Sequence, residues 1–394
     1  MYSMHIMILK KFSLLLLLSA ISYGLTPEGF TELKTGDKAP DFTLPGTDGK
    51  SYSLQDFSEP DVLMIYFTGT HCPTSNSIHD RFQQLLSDMK DKSFGVVAIN
   101  PNHNDGMRPD EFSYSRYDES FEDSKRYAED HGWTFPYLYD GEHQVVARAY
   151  GCLATPHVFI FDKERKLRYQ GRFDNSRFPD PETVTETDAR DAVVALLTGQ
   201  EVKVDKTRPF GCSTKWREKK AAVAKDEASW KAIPVQVDTI DAAALKKLVK
   251  NGTGKLRMFN VWSTTCTPCV AEMPELAHIV RQFSKRNFEL ITLSMDAVKD
   301  QERVEKVLGK HHIVTSKSLQ RSLKAEGRTT NNYIYTGSDL DEFAQALDSQ
   351  WPGQTPYTIL VDQAGNIIYR KSGPIEISEV NDEILKVLKN TWQR

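Results

Sequence analysis

The spacing of two cysteines in the C-terminal half of the chain indicates redox chemistry. Cys266 and Cys269 are separated by two residues, after an apolar run at 256–261 and before apolar residues that recur with helical spacing. A cysteine at the start of a helix faces unpaired N–H groups and the positive end of the helix dipole, which lower its pKa below about 8.5. A second cysteine one turn later can then attack the mixed disulfide. The pattern predicts thiol–disulfide exchange, with Cys266 attacking and Cys269 resolving.

The elements that would position such a pair occur twice along the chain. In each half a buried strand leads into a cysteine and a helix, a second buried strand follows, and a hairpin comes late. The strands are predicted at 62–67, 95–99, 157–161 and 167–169 in the first half, and at 256–261, 288–294, 357–361 and 366–369 in the second. The pattern predicts an α/β protein with two tandem domains, each a mixed central β-sheet flanked by helices.

Several residues around the second-half cysteines match a known pattern. They are Trp262, Cys266, Pro268, Cys269, Glu272, Pro274 and the pair Thr355-Pro356. This half resembles the thioredoxin-fold thiol–disulfide oxidoreductases, and among them the TlpA-like periplasmic branch. The resemblance implies that Glu272 is an acid–base residue and that Trp262 and a cis turn at Thr355-Pro356 face the substrate. An alternative for Glu272 is a helix-start acid that interacts with the helix dipole.

The first half resembles a different branch of the same superfamily. The matching residues are Ala39-Pro40-Asp41-Phe42, His71-Cys72-Pro73, residues 135–140, Ala154-Thr155-Pro156, residues 169–174 and Gly211-Cys212. They resemble the redoxins, an AhpC/TSA-like group that includes peroxiredoxin relatives. The resemblance implies a thioredoxin-like fold for this domain as well, with Cys72 as a catalytic thiol and Thr155-Pro156 as a substrate-facing turn.

Cys72 lacks the resolving partner of the second half. Ser75 stands three residues later, and a hydroxyl group cannot resolve a mixed disulfide. Peroxiredoxins also carry a threonine where this chain has Gly69, and an arginine on a later strand that residues 157–162 do not supply. A thiol peroxidase at Cys72 stays an alternative. Copper binding by Cys72 and a neighbouring histidine such as His71 lacks a second cysteine ligand, so we expect no metal and no cofactor.

The fates of the two remaining cysteines stay open in the sequence. Cys152 lies four residues before Pro156, and Cys212 follows a glycine near the end of the first half. Either one could be a small buried apolar residue. In an oxidising compartment two of Cys72, Cys152 and Cys212 are expected to pair, as a disulfide or as a resolving thiol, but three cysteines allow three pairings.

Composition and charge limit the classes of protein to which the chain can belong. The chain has 394 residues, which suggests two or three domains, and its 39% hydrophobic and 26% charged residues are those of a globular protein. The net charge of −4 argues against a protein that binds nucleic acid through bulk charge. We therefore expect no nucleic-acid partner.

The N-terminus has the pattern of a secretory signal peptide at 1–24. Lys10 and Lys11 precede an apolar run at 12–21, and Ser22-Tyr23-Gly24 supplies small residues for cleavage. The run is shorter than the ~20 residues that a membrane span needs. We expect a periplasmic or secreted protein with no stable membrane span after cleavage, and the alternative is an N-terminal membrane anchor.

The predicted organisation is a signal peptide, a redoxin-like domain at 31–214, a charged helical connector at 215–233 and a TlpA-like domain at 234–394. The predicted activity is reduction of disulfides in protein substrates, with an upstream thiol reductant to restore the pair. A non-catalytic module that binds a partner protein is the alternative. Because the connector tethers the two halves, we also expect the Cys266–Cys269 pair to reduce an oxidised form of Cys72 in the same molecule.

Overall fold

The computed structural model describes residues 27–393. The predicted signal peptide at 1–24 lies outside these described residues. Within 27–393, no helix combines the length and the apolar character that crossing a bilayer requires.

A five-stranded mixed sheet forms the centre of the first half, in the order β5-β4-β3-β7-β8. The strands β5, β4 and β3 are parallel, β7 runs antiparallel to β3, and β8 runs antiparallel to β7. In chain order the elements are β1 (Thr43–Pro45), β2 (Ser51–Ser53), β3 (Val62–Phe67), α1 (Pro73–Asp88), β4 (Phe94–Asn100), α2 (Phe121–Asp130), β5 (Tyr137–Tyr139), α3 (Val145–Tyr150), β6 (Ala154–Thr155), β7 (His157–Phe161), β8 (Leu167–Gly171), α4 (Asp188–Leu197) and β9 (Cys212–Ser213).

The central strand β3 shows why this sheet forms. All six of its residues are buried. Leu63, Ile65 and Phe67 enter the apolar cluster on one face of the sheet, while Val62, Met64 and Tyr66 enter the cluster on the other. A strand covered on both faces consists of a continuous run of apolar residues, and the strand was predicted from such a run.

A six-stranded mixed sheet forms the centre of the second half, in the order β10-β13-β12-β11-β14-β15. The strands β10, β13, β12 and β11 are parallel, β14 runs antiparallel to β11, and β15 runs antiparallel to β14. The elements are α5 (Lys220–Lys231), β10 (Asp238–Ile240), α6 (Ala242–Val249), β11 (Leu256–Trp262), α7 (Thr267–Ala271), α8 (Met273–Gln282), β12 (Phe288–Ser294), α9 (Gln301–Lys310), α10 (Lys317–Ala325), β13 (Asn332–Tyr335), α11 (Leu340–Leu347), β14 (Tyr357–Val361), β15 (Ile367–Ser372) and α12 (Ile377–Leu388). The predicted α/β class with two mixed sheets is confirmed.

The connector between the two sheets packs against both halves of the chain. Trp216 is 6% exposed and joins an apolar cluster of the first half, where its ring contacts Phe30 edge-on at 6.3 Å. Trp230, at the end of α5, is covered by the guanidinium of Arg281 at 4.5 Å from the ring centroid. Arg281 also pairs with Asp226 of α5. The connector is thus a packed part of the structure.

The two halves touch through the C-terminal end of α8. Gln282 donates to the carbonyl oxygen of Phe112 at 3.1 Å, and Lys285 pairs with Asp110 at 2.7 Å. The guanidinium of Arg286 lies 3.8 Å from the ring centroid of Tyr114. These contacts fix which end of the helix faces the first half.

Cys266 lies at the opposite end of the same helical segment. Residues 267–282 connect the cysteine pair to this contact as two helices, α7 and α8, which meet at Glu272. The expected transfer of electrons from Cys266 to Cys72 within one molecule stays a prediction.

Candidate active site

Cys266 and Cys269 form a disulfide in the structure, with their Cα atoms 5.3 Å apart. Cys266 caps the N-terminus of α7, and its Sγ accepts a hydrogen bond from the backbone N–H of Cys269 at 3.3 Å. Cys266 is half-buried, whereas Cys269 is fully buried. The predicted position at a helix start is confirmed, and an incoming disulfide can reach only the first of the two sulfurs.

Glu272 lies at the junction of α7 and α8, one turn after Cys269. Its carboxylate is 3% exposed and accepts hydrogen bonds from the side chain of Asn260 at 2.9 Å and from the backbone N–H of Ile375 at 3.0 Å. Burial raises the pKa of Glu272, and these two donors offset only part of the effect. Residues three apart on a helix are about 5–6 Å apart at their Cβ atoms, so the carboxylate is placed near the resolving thiol.

Trp262 and the Thr355-Pro356 turn lie at neighbouring strand ends. Trp262 ends β11 and is fully buried, and Val261 beside it pairs in register with Tyr357 at the start of β14. The Thr355-Pro356 peptide bond is cis, as the sequence predicted. Within residues 27–393, no strand pairs with the chain at Thr355, so this backbone is open to an extended peptide.

Sequence reasoning missed Asn260 and Thr358 as parts of this site. Asn260 donates to Thr358 at 3.0 Å and to Glu272, and so connects the strand before the cysteines to the strand after the cis turn. Both residues are fully buried. A polar residue inside an otherwise apolar strand was the available signal, because a buried amide requires hydrogen-bond partners.

Cys72 occupies the equivalent helix start in the first half, as the N-cap residue of α1. It is fully buried, whereas Cys266 at the equivalent position is half-buried. Its Sγ lies 2.9 Å from the carbonyl oxygen of Thr155, which is joined to Pro156 by a second cis peptide bond. The segment β9 folds over this thiol and excludes solvent.

The structure places Cys212, and not Cys152, beside Cys72. Cys212 lies on β9 and pairs in register with Thr155 of β6, whose carbonyl oxygen accepts a hydrogen bond from the Sγ of Cys72 at 2.9 Å. Cys152 is fully buried and contacts Thr214, and burial raises the pKa of its thiol to about 12. Of the three pairings that the sequence left open, the geometry favours Cys72 with Cys212.

A buried histidine next to Cys72 is paired with a buried glutamate. His71 is 1% exposed, and both its backbone N–H and its Nδ1 are bonded to the carboxylate of Glu119. Burial opposes ionisation of Glu119, but the charge and the N–H groups of His71 outweigh it and lower its pKa. Glu119 comes from a long polar loop whose sequence has no periodic pattern, so sequence reasoning missed it.

The described residues offer no cluster of three or more His, Cys, Asp or Glu side chains that could hold a metal ion. Both sites contain cysteine sulfur with a buried carboxylate or histidine nearby.

Comparisons with known proteins agree with this geometry. The model of the AhpC/TSA family matches residues 35–170, and the redoxin model matches residues 239–384. The thiol-disulfide oxidoreductase ResA of Geobacillus thermodenitrificans is 27% identical over 165 residues, which cover 41% of this chain and 84% of that protein. A Mycobacterium tuberculosis protein named "Putative peroxiredoxin" is 31% identical over 123 residues, which cover 31% of this chain and 68% of that protein.

Solved structures give similar matches to parts of the chain. A hypothetical protein from Sinorhizobium meliloti 1021 is 33% identical, covers 47% of this chain and 96% of its own, and has a TM-score of 0.42.

The chain belongs to the AhpC/TSA and redoxin families of the thioredoxin fold, with two such domains in tandem. It is a thiol–disulfide oxidoreductase, and disulfides are its class of substrate.

Proposed function

We propose that the protein reduces disulfides of other proteins outside the cytoplasm, by dithiol exchange at Cys266 and Cys269. The difference in exposure between the two sulfurs carries this proposal, since only Cys266 is open to a partner and only Cys269 is placed behind it. The open backbone at Thr355-Pro356 supports a protein substrate, because an extended peptide can pair there.

The exchange has two steps. The thiolate of Cys266 attacks one sulfur of the substrate disulfide, and the other substrate sulfur leaves as a thiolate that takes up a proton. Cys269 then loses its proton to Glu272 and attacks Cys266, which releases the second substrate thiol and forms the Cys266–Cys269 disulfide. An upstream thiol reductant must return two electrons to the pair before the next cycle.

Reduction of insulin tests the activity. The wild-type protein with a dithiol reductant should accelerate insulin reduction, and Cys266→Ser should abolish the acceleration. A protein that only binds a partner would not accelerate insulin reduction, and Cys266→Ser would leave the binding of its partner unchanged. Redox titration of the pair tests the direction, because a potential near about −270 mV fits a reductant and one near about −120 mV fits an oxidant.

The predicted signal peptide supports the location. Extracytoplasmic fractions should contain a mature chain whose N-terminus lies just after residue 24. A full-length chain that stays with the membrane would favour the N-terminal anchor instead.

A further inference from the structure

A glycine allows the segment that carries Cys212 to lie close to Cys72. Gly211 has φ +150°, and a Cβ atom at this position would lie 2.1 Å from the carbonyl oxygen of Thr155. Only glycine lets β9 approach the Thr155-Pro156 turn this closely. The approach presents Cys212 to the thiol at the start of α1.

β9 also occupies the backbone edge that is open in the second half. Its pairing with Ala154 and Thr155 fills the position beside the cis turn where an extended peptide could pair. Further hydrogen bonds hold the segment, from Thr214 N–H to Leu153 at 3.2 Å and from Lys215 N–H to Asn102 at 2.9 Å. A protein disulfide therefore has no free edge here, and a substrate of this site must be small.

The two thiols differ in access and in acidity. Cys72 is fully buried, whereas Cys212 is partly exposed and lines a cavity of about 330 Å³, a size typical of small-molecule sites. Burial disfavours a thiolate at Cys72, but the hydrogen bond from Cys212, the charge of His71 and the N–H of Ser75 outweigh it and lower its pKa. Cys72 is thus the more acidic of the two sulfurs and lies behind the one that lines the cavity.

A second polar group faces this cavity without a partner. His71 lines it and is 1% exposed, and its Nε2 has no hydrogen-bond partner among the described residues, because Glu119 holds only Nδ1. A buried polar atom without a partner is rare in proteins and points to a group that arrives from outside. Nε2 can supply a proton to a leaving thiolate.

The cavity wall carries an excess of positive charge. Arg108, Lys215, Lys285 and Arg286 line it, with Asp110 and Glu111 as the carboxylates among its lining residues. Lys285 and Arg286 come from the second half, so the contact between the halves completes the wall. The carboxylates pair with Arg108, Lys215 and Lys285, and Arg286 bonds to carbonyl oxygens instead. An anionic molecule is the complementary ligand.

We propose that Cys72 and Cys212 form a second redox pair, which exchanges electrons with small anionic disulfides through Cys212. Cys72 is the more acidic sulfur of the reduced pair and Cys212 the less acidic one, and in the proposed mechanism His71 Nε2 carries a proton. Cys212 passes its proton to the neighbouring Cys72 as it attacks one sulfur of the disulfide, and Cys72 passes that proton on to the thiolate that leaves. The Cys72 thiolate then attacks the Sγ of Cys212, and the second thiolate leaves and takes the proton of His71 Nε2. Two electrons pass to the substrate, which becomes two thiols, and a Cys72–Cys212 disulfide forms.

The test uses the full chain with Cys266→Ser and Cys269→Ser, so that its outcome does not depend on the proposed function. Glutathione disulfide is the anionic probe and cystamine the cationic one, and intact mass with peptide mapping locates the products. Glutathione disulfide should produce the Cys72–Cys212 bond with no lasting adduct. A further Cys72→Ser should leave glutathione bound to Cys212, and a further Cys212→Ser should leave Cys72 unmodified. Cys152→Ser is the matched control and should change nothing.

The charge of the probe should determine how fast it reacts with this cysteine pair. At low ionic strength glutathione disulfide should react at least fivefold faster than cystamine, and salt should bring the two rates together. An adduct on Cys72 in the Cys212→Ser protein, an equal or faster reaction of cystamine, or no reaction at either cysteine would overturn the proposal. Formation of the bond by hydrogen peroxide faster than by glutathione disulfide would also overturn it, in favour of a peroxidase.

The proton donor has its own test. His71→Gln combined with Glu119→Gln removes the histidine without leaving a buried carboxylate unpaired. The glutathione adduct on Cys212 should then accumulate although Cys72 is present, and more strongly at pH 8 than at pH 6, where solvent supplies the proton. Release of the adduct at the wild-type rate at both pH values would remove His71 from the mechanism.

Discussion

Replacing Glu272 with glutamine tests the proton transfer that completes disulfide reduction. Cys269 is fully buried, and burial keeps the pKa of a thiol above its free value. A free thiol with a pKa of about 8.5 is only about 3% thiolate at pH 7. Without a neighbouring base, resolution depends on this small fraction, so Glu272→Gln should slow the resolving step about 10- to 100-fold at pH 7.

The substitution also affects the fold to a limited extent. A glutamine keeps one acceptor but turns its NH₂ toward either Asn260 or Ile375, which leaves one buried donor without its partner. The expected cost is about 1–3 kcal/mol in the free energy of unfolding. Urea unfolding therefore accompanies the kinetics, and the resolving step is measured only where the variant is folded.

The assay follows release of the second thiol from a preformed mixed disulfide on Cys266, by stopped flow from pH 6 to pH 9. The difference between the variant and the wild type should shrink as pH rises, because Cys269 then ionises unaided. Glu275→Gln, one turn further along the helix, is the matched control and should be within about twofold of the wild type. Unchanged resolution by Glu272→Gln across pH 6–8, or equal slowing by both variants, would refute a proton acceptor at this position and favour a helix-start acid.

Three further outcomes can be measured on the same chain. In the reduced protein, iodoacetamide at pH 6–7 should alkylate Cys266 at least about tenfold faster than the buried Cys269, and equal rates in peptide mapping would contradict the helix-start argument. Because the pKa of Glu272 is raised in the folded state, the unfolded chain binds fewer protons than the folded one above the ordinary glutamate pKa of 4.5. Stability should therefore fall as pH rises from there through the folded pKa, and the urea midpoint of Glu272→Gln should show less of this decline. Arg257 and Glu289 form a buried ion pair at 2.6 Å, and Arg328 also pairs with Glu289 at 3.0 Å, so Arg257→Met removes one of two partners and should cost about 1–3 kcal/mol in urea unfolding. Adding Glu289→Leu should restore part of this loss, and no recovery would mean that the buried charge is not the cause.

The elements that the sequence predicted well are those with a strong local pattern. The run at 62–67 is a strand with the predicted bounds, and the strand predicted at 288–294 is β12 with the same bounds. A strand covered on both faces and a helix with one apolar face each leave a periodic signal in the chain. The Cys266–Cys269 spacing likewise carries its chemistry within four residues.

Parts of the structure that depend on distant contacts were not predictable in this way. The sequence predicted no strand between 294 and 357, yet this segment contributes β13, an interior strand between β10 and β12. Four residues are too few to show a period against the surrounding helices.

The first-half site depends on equally distant partners. Cys212 and Cys72 are far apart in sequence, and Glu119 reaches His71 across 48 positions. Only the folded backbone brings these groups together, so the sequence could name the cysteines but not choose between their pairings.

The packed connector has a practical consequence for dividing the protein. A first-half fragment that ends at residue 214 would leave out Trp216 and expose the apolar surface that this ring covers. A second-half fragment that begins at 234 would leave out Trp230, Asp226 and Glu227, and Arg281 would lose all three of these partners. Soluble fragments should therefore overlap, with the first extended through Trp216 and the second begun before α5. For the same reason, heating the intact chain should give a single unfolding transition, whereas a flexible tether would give two.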